Sequence, residues 1–126
     1  MAAAFRVFAS RGYRATRLEE VAEEAGLTKG AIYYHFQSKE DLLRQAVAHR
    51  HEAIFATIER ELLSLEAPAS VRLRHALRQV WRHVLEPAWG QAVRLMFGEV
   101  GIEFPALFRM WAQEGPIQAW ELVGRI

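Results

Sequence analysis

Residues 18–36 most narrow what this chain can fold into, because they encode two short helices joined by a glycine-containing turn at Gly26. Leu18, Val21, Ala22 and Ala25 fall on one face of the first helix, and Gly26 ends it. Thr28 is placed to cap the second, which is brief. Ile32 and Phe36, one helical turn apart, turn inward to seat it on Val21, Phe8 and Leu43. Lys29 and Tyr33 then face outward, with Tyr34 and His35 to the side.

The flanking pattern is helical too, and no segment shows sustained strand-like alternation. Phe5, Phe8 and Ala9 mark a helix that ends at Gly12, placed as a left-handed cap. Thr16-Arg17-Leu18-Glu19 fits a capping box, so Thr16 is expected to open the next helix. Ser38-Lys39-Glu40-Asp41 launches a long helix whose stripe runs Leu43, Val47, Ile54, Ile58, Leu62 and Leu65, up to Pro68. Beyond it, Ser70 is expected to cap a helix with Leu73, Leu77, Val80, Trp81 and Val84 on one side, stopping near Pro87. A segment from Trp89 to Val100 follows. Gly101 and Pro105 interrupt it, and the apolar spacing resumes to Gly115-Pro116, with a last helical piece from Ile117. The expected fold is all-α: a three-helix helix-turn-helix unit over residues 1–47, joined by a long helix to an incomplete helical bundle over 48–126.

Composition excludes several classes. Hydrophobic residues make up 52% and charged residues 25%, a globular balance, and the net charge of +1 gives no global basicity. With no cysteine, neither disulfides nor a cysteine-based zinc site can form. No apolar run reaches membrane-spanning length and the start lacks a signal-peptide layout, so a cytoplasmic protein without membrane partners is expected. His49 and His51, two apart on a helix, do not converge, and Glu52 adds one weak neighbour, so no metal and no cofactor is expected. No phosphate loop or nucleophile elbow occurs, which argues against an enzyme.

The second helix of a helix-turn-helix enters the major groove of DNA. Gly30 and Ala31 keep its first turn slim, so the backbone can approach closely, and free N–H groups there favour a phosphate oxygen. Lys29 can reach a guanine edge or a phosphate. Tyr34 and His35 offer donors to a sugar-phosphate strand, while Thr16 and Lys39 begin the flanking helices and would clamp phosphates on either side. Each cap residue would be present without DNA; it is the joint pattern that points to DNA.

Phe8, Gly12-Tyr13, Thr16, the acidic second helix, Gly26-Leu27-Thr28-Lys29-Gly30-Ala31-Ile32-Tyr33-Tyr34-His35-Phe36 and Lys39-Glu40-Asp41-Leu42-Leu43 together resemble the TetR family of bacterial repressors over residues 5–47. The resemblance implies that Thr28, Lys29, Gly30, Ala31 and Tyr33 face the major groove and that Thr16, Tyr34, His35 and Lys39 hold the backbone. It also implies a double-stranded operator, a homodimer, and a small-molecule effector bound by the later helices. Aromatic and Met residues are plentiful there, and Trp81, Met96, Phe97, Phe108 and Trp111 are the expected lining of a pocket for an apolar or aromatic effector. Family members usually carry a basic arm before a longer first helix and two more long helices for dimerisation. A truncated chain is therefore expected, and the alternative function is a protein-interaction module that pairs with a full-length relative.

Overall fold

The computed structural model describes residues 1–125; the side chains of residues 88, 114–120 and 123 lie outside the described set, as does Ile126. Trp120, one of the aromatic residues of the later helices, falls there. The described residues form helices joined by turns, without a strand. The elements are α1 (Ala2–Arg11), α2 (Leu18–Glu24), α3 (Lys29–His35), α4 (Lys39–Ser64), α5 (Ala69–Leu85), α6 (Pro87–Leu95), α7 (Gly101–Glu103) and α8 (Pro105–Gly124), with a kinked turn, Met96–Val100, between α6 and α7.

Local chemistry sets most of these boundaries. Gly12 takes φ +86° and Gly26 φ +66°, backbone that a side chain would strain, and they close α1 and α2. Thr28 Oγ1 accepts from the Ala31 N–H at 3.2 Å, and Ser38 Oγ from the Asp41 N–H at 3.0 Å, as expected of the two caps.

Four local expectations are corrected. The N-cap of α2 is Arg17, whose N–H donates to Glu20 Oε2 at 3.0 Å; Thr16 is already inside the turn. Helix α5 begins at Ala69, directly after Pro68, because proline's fixed backbone starts the helix before Ser70 is reached. Leu73, Leu77 and Trp81 of α5 are exposed, and Ala76 and Gln79 are buried instead, because α4 and α6 pack on the other side of the helix. Finally, α8 continues from Pro105 to Gly124 across Gly115-Pro116. A proline removes one ladder hydrogen bond, which a long packed helix survives.

One core joins the beginning of the chain to its later helices. Phe8, Val21, Ile32, Leu43 and Val47 pack in the same cluster as Leu95, Met96, Val100 and Leu107. Full burial of a side chain such as Phe8 stabilises by roughly 1.5–3 kcal/mol. A second cluster, Ile58, Leu62, Ala76 and Leu122, ties the far end of α4 to α5 and α8.

Candidate nucleic-acid interface and a neighbouring cavity

The inward face of α3 is sealed. Ile32 is buried and Phe36 packs against the core as the C-cap residue, so the helix is fixed from behind. Its opposite face stands clear: Tyr34 is 85% exposed and Tyr33 52%, and Thr28, Lys29, Gly30 and His35 are also exposed. Ala31 is half-buried. A Cβ on Gly30 would meet nothing within 4 Å, so the bare backbone of the first turn is open to an approaching surface. The Tyr34 and His35 rings meet edge to face, centroids 5.2 Å apart.

Lys29 and Tyr33 are not independent. Glu19 of α2 accepts from Lys29 Nζ at 2.6 Å and from the Tyr33 hydroxyl at 3.3 Å. The hydrogen bond from Lys29 holds the Glu19 carboxyl below its usual range, and the same bond raises Lys29. Sequence reasoning passed over Glu19 as one more carboxylate of an acidic helix. The signal was there in its position on α2, facing the start of α3, but only the inter-helix angle brings it onto Lys29.

Two expected phosphate ligands are placed differently. Thr16 is 1% exposed and its hydroxyl donates to the Gly12 carbonyl at 2.7 Å, so it shapes the α1–α2 turn instead of facing outward. The exposed side chain at the start of α2 is Arg17, a residue not singled out from sequence. Lys39 directs Nζ to the carbonyls of Tyr13 (2.8 Å), Thr16 (3.1 Å) and Arg14 (3.4 Å), with the Tyr13 ring beneath it at 4.4 Å. Those acceptors match the three donors of an ammonium, and they pin the turn that carries Arg17.

That turn also touches the later helices. The Arg14 N–H donates to Glu99 Oε2 at 2.7 Å, and its guanidinium pairs with Glu103. The Glu99 carboxylate lies where a Cβ on Gly12 would meet it, at 2.9 Å. The Tyr13 ring meets Phe104 edge to face at 4.8 Å.

On the far side of the same kinked segment lies a cavity of about 390 Å³ between α4, α5, α6 and α8. His51, Val80, His83, Trp89, Phe97 and Trp111 are among the residues lining it. Of the residues expected to form a pocket, Phe97 and Trp111 line this one, and Phe108 stands behind them, 5.0 and 5.9 Å from their ring centroids. Two expectations are corrected. Trp81 is 62% exposed on the outer side of α5, and Met96 is 1% exposed in the main core. Met96 and Phe97 are sequence neighbours about 100° apart around the helix, so with Phe97 on the cavity Met96 turns into the core.

Residues 1–46 match the family profile described as "Bacterial regulatory proteins, tetR family". The chain is 34% identical over 97 residues to the HTH-type transcriptional regulator AcrR of Shigella flexneri, covering 77% of this chain and 43% of that protein. It is 35% identical over 95 residues to the HTH-type transcriptional activator FasR of Mycolicibacterium smegmatis, covering 75% of this chain and 42% of that one. The chain thus spans less than half the length of these two relatives. A crystal structure described as a TetR-family transcriptional regulator from Mesorhizobium loti superposes with a TM-score of 0.78 at 26% identity, over 95% of this chain and 60% of that one. By its N-terminal match, these relatives and the shared fold, the chain belongs to the TetR family of bacterial regulatory proteins.

Proposed function

We propose that the chain is a ligand-responsive transcriptional regulator, acting as a repressor, that reads a near-palindromic operator through α3. The exposed Lys29–Tyr33–Tyr34 face of a helix sealed on its other side by Ile32 carries this reading. In it, residues 1–47 form the DNA-binding unit and 48–126 the effector and dimerisation unit. Thr28, Lys29, Gly30, Ala31 and Tyr33 face the major groove, where Lys29 can meet a guanine edge or a phosphate, while Tyr34, His35 and Arg17 meet the backbone. Lys39 and Thr16 act from behind, by fixing the turn that presents Arg17.

The effector is a small apolar or aromatic molecule in the cavity beside Trp111. DNA and effector then weaken each other reciprocally, provided the effector favours one of two head positions. The kink that lines the cavity with Phe97 also carries Glu99, which holds the Arg14 N–H, and this supports such coupling. The exposed apolar side of α5, with Leu77, Trp81 and Leu85, supports assembly with a second chain, a copy of this one or a longer relative.

The test is selection of bound duplexes from a random library, with Tyr33→Ala in parallel. An inverted repeat that the variant loses is the expected result, with about 1–3 kcal/mol lost at the contacted base. A single half-site means that the head reads DNA without a two-fold dimer. No enrichment overturns the reading.

A further inference from the structure

Two histidines, His51 and His83, stand in the cavity wall, and His51 is the more buried. It is 5% exposed, and its Nδ1 is fully buried with no hydrogen-bond partner among the described residues. That nitrogen is closed to anything in the cavity, so a ligand there would meet the ring through its other nitrogen, Nε2. The ring lies against Trp111, centroids 6.3 Å apart and planes 32° from each other, and Trp89 lies 6.2 Å from Trp111 on the same wall. Phe97 stands at right angles to Trp111 at 6.0 Å. Ring faces and edges set this way accept a flat aromatic body.

Charge narrows the ligand further. Arg50, next in sequence, turns its guanidinium to Glu86 at 3.4 Å and over the Phe5 ring at 5.2 Å, so it does not line the cavity. His83 Nδ1 lies 3.2 Å from Glu86 Oε1 but outside hydrogen-bond geometry, and like His51 Nδ1 it is buried without a partner among the described residues. Burial pushes the His51 imidazole below its ordinary value, with the neighbouring Arg50 charge acting in the same direction, so the ring is neutral at pH 7. A carboxylate entering this space would give up its water and meet no lysine or arginine among the described lining residues, a costly exchange. A hydroxyl both donates and accepts, and so suits either tautomer of a neutral imidazole.

We propose that the cavity between α4, α5, α6 and α8 binds a neutral, planar aromatic molecule carrying one hydroxyl group, with the His51 imidazole as its hydrogen-bond partner. The inference deepens the effector reading and rests on it for what binding does to DNA; binding itself is measured apart.

Equilibrium dialysis of the full chain with 2-naphthol, naphthalene and 2-naphthoate is the test. 2-Naphthol should bind about five- to ten-fold tighter than naphthalene, the size of one net hydrogen bond. 2-Naphthoate should bind more weakly than 2-naphthol. His51→Leu should erase the preference for the hydroxyl, read as the ratio of 2-naphthol to naphthalene affinity within the variant. Equal wild-type affinity for 2-naphthol and naphthalene overturns the proposal without need of a variant. So does binding of none of the three, or an equal loss of both neutral probes in His51→Leu. Release of the selected duplex is read separately. His51-dependent binding that leaves DNA bound overturns the ligand-responsive function and keeps this site.

Discussion

In the free protein the Glu19 carboxylate sits between Lys29 and Tyr33, the two side chains that α3 points outward. A phosphate approaching Lys29 must compete with that carboxylate. Glu19→Gln should therefore tighten binding to duplexes of any sequence, and the plot of log affinity against log salt should steepen by about one phosphate contact. Salt titrations of wild type and variant check this, and an unchanged slope would mean that Lys29 does not meet a phosphate. His51 makes a second prediction at this scale. Burial holds its folded value below the ordinary histidine value of 6.5, so below that pH the unfolded chain binds more protons. Stability should be fully present above pH 6.5 and fall as the pH drops through and below it. Urea midpoints measured across that range should decline in wild type and decline less in His51→Leu. Lys29, Tyr33 and their outward direction were legible in the sequence, because helical period alone gives a side chain's direction. The burial of Thr16 was not, since it depends on how the α1–α2 turn folds back on Gly12.

At the scale of elements, the α1–α2 turn is held by a residue from α4. Lys39→Ala removes the donor shared by three carbonyls, and the chain should lose roughly 1–3 kcal/mol of unfolding free energy. DNA binding should weaken for all sequences alike, since Arg17 loses its fixed position. A Lys39 that only met phosphate from solution would leave stability untouched, so denaturation separates the two roles. Helix caps behave more simply. Thr28→Ala should cost about 1 kcal/mol, felt mainly in α3. The caps at Thr28 and Ser38 were readable because they depend on neighbours in sequence. Which side of α5 is buried was not: apolar residues lie on more than one side of that helix, and only the placement of α4 and α6 selects Ala76 over Leu77.

For the whole molecule, two connections link the cavity to the DNA-reading face. Helix α4 runs from the Lys39 end, at the α1–α2 turn, to His51 and Phe55 in the cavity wall. The second runs from Phe97 through the kink to Glu99, Glu103 and Arg14. Glu99→Ala should leave 2-naphthol affinity unchanged while reducing the factor by which 2-naphthol weakens DNA binding. Equal coupling in variant and wild type would assign the whole effect to α4. By itself the sequence determined the all-α class, the short α2–α3 pair and the outward residues of α3. Those follow from period, caps and glycine positions, all of them interactions within a few residues. The tertiary structure alone decided that Glu19 meets Lys29, that Lys39 faces carbonyls, that His51 lines a cavity while Met96 joins the core, and that Arg14 meets Glu99. Each of these depends on the angle between helices or on a kink at Gly98, and the packing of the shared core sets those angles.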